Sequence, residues 1–375
     1  MTDDRQWEPP GRLREPARSA AAPAPLLAPP GPPALGWTPP PRPGLVPLRP
    51  LTLGAVIGGA FGILRRNALA VYGPALLVSL AVAVVQALGT LSLLSTVFAV
   101  GSDDTASAGA LFDGLGSAVV GFAGGSVLNL AATQLVLAVV SLAVAGATVG
   151  ERRRGGAIWR RTTGRRGAVL GWALLIAAAT VVAVGGVTGV IIGIGVAGGG
   201  VGAAVAVLLT VLAIPGGLVL WFWLTTRLAF VPATLVVERL RMRSAVTRAW
   251  RLTRGGFWRV LGIRLLVSVM VGFAQGLLML PLNLLIQFAI PLLLPNGLTE
   301  ESERTALIVT TLVSQLVGAF ITAVGVVLTT ATTALLYVDL RMRREGLDLE
   351  LARYVEHPPG SRAGLPDPFR RPERA

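Results

Sequence analysis

The sequence predicts an all-α, polytopic integral membrane protein with six transmembrane helices, two amphipathic interfacial helices and disordered termini. Three observations carry this: an apolar composition, long stretches without charge, and a strong segregation of arginine along the chain. Of 375 residues, 53% are hydrophobic and only 14% are charged, and the mean hydropathy is +0.69. A soluble domain carries about 25% charged residues. The cations are 33 Arg and no Lys, set against 19 acids, for a net charge of +14. The absence of Cys excludes disulfides and thiolate metal sites. The absence of Lys excludes Schiff-base chemistry and the lysine-dependent phosphate loop. A pI near 11.6 suits nucleic acid in a soluble protein, but no groove-reading element accompanies it, so no nucleic-acid partner is expected.

The uncharged stretches cover 68–102, 114–150, 167–226, 265–299 and 305–338. About 20 apolar residues cross the hydrocarbon core as a helix. The third stretch holds two spans divided by the glycine-rich turn Gly193–Gly202. Six spans result, near 70–98, 118–149, 168–193, 202–226, 260–293 and 306–337. An even number places both termini on one side. The connections on the opposite side carry only Arg304 beside six acids, Asp103, Asp104, Asp113, Glu300, Glu301 and Glu303, while the other 32 Arg fall elsewhere. By the positive-inside rule both termini are cytoplasmic, and the expected location is a bacterial inner membrane.

Residues 1–50 hold 15 of the 26 Pro and no signal-peptide hydrophobic region. This proline-rich arm is expected to be disordered with polyproline II character. It reads first as a solvated tether and second as a docking segment for a proline-reading protein partner. The tail over 352–375 reads as a second disordered cytoplasmic segment, leaving 51–351 as the membrane domain.

An internal duplication runs through that domain. Ala55-Val56 and Ala60-Phe61 correspond to Ala245-Val246 and Ala249-Trp250, after which Val71, Gly73 and Leu76–Ser79 fall on Val260, Gly262 and Leu265–Ser268. A second echo pairs Leu240–Arg243 with Leu340–Arg343. The repeated unit is an interfacial helix followed by a span. In the first, near 51–66, Leu53, Val56, Ile57, Ala60, Phe61 and Leu64 form one apolar stripe. In the second, near 240–254, Ala245, Val246, Ala249, Trp250 and Thr253 share a face, and Arg241, Arg248, Arg251 and Arg254 project from the other. Phe257, Trp258 and Arg259 follow at the start of the next span, where an aromatic belt is expected. Such a helix lies in the membrane interface. Arg241, Arg248, Arg251, Arg254 and Arg259, with Trp250 and Trp258, are therefore candidate contacts for anionic lipid head groups; enforcement of topology alone is the other reading.

Residues suited to catalysis are scarce. The single His357 lies in the tail, and no Asp or Glu falls within a predicted span. No catalytic residue, metal ligand or cofactor is assigned, and the chain reads as non-enzymatic. The amides in the spans, Gln86, Asn129, Gln134, Gln275, Asn283, Gln287 and Gln315, read as inter-helix bonds. Gln275, Asn283 and Gln287 beside Pro281 form a candidate polar cavity in the fifth span. Gly193-x-Gly195-x-x-Gly198 matches a dinucleotide fingerprint but lacks the flanking strand and the acid. Gly185, Gly189 and Gly193 instead read as a helix-packing face.

Three segments, Leu51–Asn67, Ser244–Arg259 and Leu335–Leu349, resemble the membrane-domain family named after glycerophosphoryl diester phosphodiesterases, in its stand-alone actinobacterial form. Tyr337-x-Asp339-x-Arg341 with Glu345, Gly346 and Asp348 is the most specific part. The first segment departs from the pattern, which has an acid near Ala55 and a basic residue near Gly62. The catalytic domain that names the family resembles a TIM barrel using acids, His and a divalent metal, and this chain has neither the length nor the His for it. The resemblance implies a six-helix membrane module, not phosphodiester hydrolysis. The expected role is a membrane-organising or partner-binding module; a transporter or lipid flippase built from the duplicated halves is the alternative.

Overall fold

The computed structural model describes residues 44–66, 68–102, 108–151, 155–293, 300–357, 361 and 364–370. Their regular structure is entirely helical: α1 (Leu53–Arg66), α2 (Ala68–Ser102), α3 (Ala108–Thr148), α4 (Gly155–Thr162), α5 (Arg166–Ala197), α6 (Gly199–Arg227), α7 (Val231–Val236), α8 (Met242–Thr253), α9 (Phe257–Leu293), α10 (Glu300–Glu345) and α11 (Leu347–Glu356). Six of them, α2, α3, α5, α6, α9 and α10, are long and apolar enough to cross a membrane. The protein is an all-α, multi-pass membrane protein. The spans run longer than the sequence predicted, and α3 starts at Ala108, inside the predicted 101–117 connection. Asp103 and Asp104 lie outside the described residues, as does the arm before residue 44.

The core gathers at one end of the bundle, where α3 ends, α10 ends and α7 turns back. Residues 136–148 of α3, 331–342 of α10 and the whole of α7 are buried together. Because most arginines cluster here too, this is the basic end. Farther along, α2 and α3 meet where the Cα of Gly121 lies 2.9 Å from the place a Cβ on Gly89 would take. Only glycines permit that approach. The α5–α6 hairpin turns at Gly198 and Gly199, the latter at φ 58°, and most of its side chains are exposed. Gly185, Gly189 and Gly193 have nothing within 4 Å of an added Cβ. The expected packing face therefore meets no helix among the described residues.

Thr52 caps α1, its hydroxyl accepting from the Ala55 N–H, as short polar residues do at helix starts. The buried stripe of α1 is Val56, Gly59, Ala60 and Ile63, rotated from the predicted one. Gly59 allows close docking on Leu335 of α10, leaving Leu53 and Phe61 exposed. The helix thus has two apolar faces, one against α10 and one outward.

Both termini of the membrane domain need correction. Residues 44–50, expected within the disordered arm, pack down: Leu45 N–H donates to the Ala147 carbonyl at 2.9 Å, and Val46 and Leu48 are buried. Beyond residue 352 the chain continues as α11, started by Gly346 at φ 66°, and Phe369 is buried. Apolar side chains within these proline-rich segments find partners that local composition does not reveal. The duplication is mirrored in burial, since Ala60 and Ala249 are buried, Phe61 and Trp250 exposed, and Val71 and Val260 buried. The second echo is not equivalent: Arg241 is the N-cap of α8, whereas Arg341 sits inside α10.

Candidate functional site at the basic end

Alternation along the end of α10 organises this region. Residues two apart on a helix point about 200° apart, and residues four apart share a face. Tyr337, Arg341 and Glu345 therefore face one way, and Asp339 and Arg343 the other. One helix presents two separate charge ladders.

On the first face, Arg248 of α8 lies between two acids. Its Nε donates to Glu238 Oε2 at 3.1 Å, and its Nη2 donates to Glu345 Oε2 at 2.6 Å. Arg341 donates from Nε to the same Glu345 oxygen at 3.1 Å and approaches Glu238 at 3.9 Å. Tyr337 closes the ring, accepting from Arg341 Nη1 at 3.2 Å and donating to Glu238. Two cations and two anions balance with little water. Burial works to lower the pKa of the Arg248 guanidinium, but the Glu345 hydrogen bond and the charges of Glu238 and Glu345 prevail and hold it above its ordinary value. The tail joins here as well, the Phe369 carbonyl accepting from Arg341 Nη1 at 3.0 Å.

Glu238 reaches this position through strained backbone. Arg239 adopts φ 56°, uncommon for a residue with a Cβ. The Arg165 guanidinium straps the turn by donating to the carbonyls of Arg239 and Leu240.

On the opposite face, Asp339 is fully buried. It accepts from Leu51 N–H at 2.7 Å, Arg343 Nε at 2.9 Å and Arg259 Nε at 3.2 Å. Arg259 and Arg343 also donate to the Leu51 carbonyl. This cluster pins the start of α1 to α9 and α10. Asp339, Glu238, Arg248 and Arg341 are all buried.

The candidate lipid contacts consequently divide. Arg241, Arg251 and Arg254 are exposed on the outer side of α8, and Trp258, at the start of α9, is 80% exposed. Arg248 is corrected to an inward, doubly paired residue. Half-buried Arg259 is engaged with Asp339 and Leu51. Trp250 packs edge-on to Trp223 at 5.4 Å, and the Arg227 guanidinium lies 5.3 Å from its ring and 5.1 Å from Phe257. The ring joins α8 to α6 and α9 while keeping an exposed edge.

The three amides of α9 do not converge. Gln275 is half-buried against Gly325 of α10, whereas Asn283 and Gln287 are exposed. At about 100° per residue, Asn283 and Gln287 lie about 80° and 120° around the helix axis from Gln275. A cavity of about 510 Å³ with a mixed polar and apolar lining exists elsewhere, among α3, α5, α6, α9 and α10, and includes Asn129, Gln134, Trp172 and Arg264. Arg264 was missed because it borders an uncharged stretch and reads as a loop-side topology residue.

No curated protein and no solved structure matches this chain. Residues 202–358, from within α6 through α11, match the family model described as the membrane domain of glycerophosphoryl diester phosphodiesterase, and two of the three resembling segments, Ser244–Arg259 and Leu335–Leu349, lie within the match while Leu51–Asn67 lies outside it.

Proposed function

We propose that this membrane module is non-enzymatic and that its basic end binds anionic lipid at the cytoplasmic leaflet of a bacterial inner membrane, organising the membrane or a partner there. The observation that carries this reading is α8, where Arg241, Arg251 and Arg254 stand exposed, followed by the exposed Trp258 at the start of α9. No ion pair involves these three arginines among the described residues, unlike Arg248. Each basic residue near an anionic leaflet contributes about 1 kcal/mol, so three supply roughly a hundredfold preference. The outward face of α1, with Leu53 and Phe61 exposed ahead of Arg65 and Arg66, fits the same interface. The non-enzymatic reading is supported by the acids of this end, Glu238, Asp339 and Glu345, each being taken up by arginines. The proline-rich arm remains a candidate handle for a protein partner.

The test extracts the protein without detergent and identifies the lipids around it. The wild type is compared with a variant carrying Arg241→Gln, Arg251→Gln and Arg254→Gln. Enrichment of one anionic class that drops to the bulk level in the variant supports the proposal. Equal lipid profiles would leave these arginines to topology alone.

A further inference from the structure

Five helices surround the cavity in a ring, α3 against α5, α5 against α6, α6 against α9, α9 against α10, and α10 back on α3. Its lining includes Arg264 but no Asp or Glu. The Arg264 guanidinium makes one hydrogen bond, from Nη1 to the Thr225 carbonyl at 3.0 Å, and no ion pair among the described residues. Four of its five N–H donors are thus uncommitted. An arginine within a span normally pairs with an acid, a carbonyl cluster or a ligand.

Two more donors at the same cavity lack acceptors. Trp172 and Thr332 both line it, both are buried, and neither the Trp172 indole N–H nor the Thr332 hydroxyl has a hydrogen-bond partner. Buried donors without acceptors are costly, and native structures rarely keep them. Three donor groups around one cavity, all short of acceptors and with no acid between them, describe a place for an anion.

Depth supports the same assignment. Arg264 lies seven residues into α9 and Trp172 six residues into α5, each about 10 Å along its helix, and both helices start at the basic end. That is near the boundary between head groups and hydrocarbon. Leu130, Leu137, Ile176, Leu261 and Leu265 supply apolar wall beside the polar lining, a pairing that an amphiphile matches.

We infer that this cavity is a binding site for a phosphate-bearing anion, its charge held by the Arg264 guanidinium with the Trp172 indole N–H and the Thr332 hydroxyl as further donors. The site is separate from the outer face of α8 and does not depend on lipid binding there. Phosphate on a phospholipid head group and phosphate on a soluble molecule satisfy the same donors, and the experiment separates them.

The test uses the full chain, delipidated to different extents in mild detergent, with native mass spectrometry as the readout. The expected result is one phospholipid retained per chain after washing that strips surface lipid. Retention falls at least about tenfold in Arg264→Gln, as loss of a charge-assisted contact implies. It falls less in Trp172→Phe and Thr332→Val, which each remove one donor and leave the fold's shape. The variant with Arg241, Arg251 and Arg254 changed to Gln keeps its lipid, so failure of the surface reading and failure of this one are distinguishable. If no lipid is retained but inorganic phosphate raises the melting temperature of wild type and not of Arg264→Gln, the anion is a soluble one. Equal retention in wild type and all three cavity variants, or neither lipid nor phosphate binding, overturns the inference.

Discussion

The phenol of Tyr337 donates a 2.6 Å hydrogen bond to Oε1 of Glu238, across 99 residues of chain. This bond locks the turn after α7 to the end of α10, and through Glu238 it orients Arg248 and Arg341. Removing the hydroxyl and removing the charge have different costs. Tyr337→Phe is expected to destabilise by about 1 kcal/mol, the usual net worth of one hydrogen bond. Glu238→Gln leaves Arg248 and Arg341 with a single acid and is expected to lose about 3–5 kcal/mol. Unfolding of both variants and of the double mutant, in one detergent, measures the pair; additive losses would show that the bond carries no coupling.

Arg248 and Arg251 are three positions apart on α8 and answer to different neighbours. Arg248→Gln is expected to lower stability by about 3 kcal/mol, because Glu238 and Glu345 lose their shared cation. Arg251→Gln is expected to stay within about 0.5 kcal/mol, as exposed substitutions do. Thermal unfolding of the two variants side by side checks the contrast, and equal losses refute the inward placement of Arg248.

Asp339 fixes the start of α1. Replacing it with Asn turns one acceptor oxygen into a donor facing two arginines. Because Arg259 and Arg343 are partly solvated, the expected loss is about 2 kcal/mol rather than the full buried-pair value. The chain has no native Cys, so a single Val46→Cys serves as a reporter. Its thiol is expected to react slowly in the parent and several-fold faster with Asp339→Asn, as local opening grows. Unchanged labelling would separate Asp339 from the docking of α1.

Glycines in similar surroundings by sequence differ sharply in space. Gly121→Leu is expected to force α2 and α3 apart at the cost of about 1–3 kcal/mol, typical of overpacking. Gly185→Leu, with open space around it, is expected to be neutral to folding. Expression and monodispersity of the two variants in detergent give the comparison, and similar behaviour of both argues against the α2–α3 contact.

The tail seals one side of the Arg341 cluster. Phe369→Ala is expected to release residues 364–370 and speed trypsin cleavage after Arg353 and Arg370 by several-fold, since protection tracks the free energy of local opening. Cleavage at the parent rate would mean that Phe369 does not hold the tail.

Read from residues alone, the chain already discloses six spans, the segregation of Arg from acid, and the three segments that carry the family resemblance. These depend on local composition: a run of about 20 apolar residues crosses a bilayer whatever surrounds it. The alternating pattern from Tyr337 to Glu345 also shows on the page, and helical geometry alone sends its members to two faces. Which arginine turns inward is a different kind of question. A helical wheel places Arg248 with Arg251 and Arg254, but Glu238 and Glu345 approach α8 from positions 10 and 97 residues away, and burial follows the neighbour. The same holds for Val46 and Phe369, apolar residues in proline-rich surroundings that only packing could seat. It holds most of all for Arg264, whose place in a cavity depends on five helices meeting, a property of the assembled bundle that no single segment encodes.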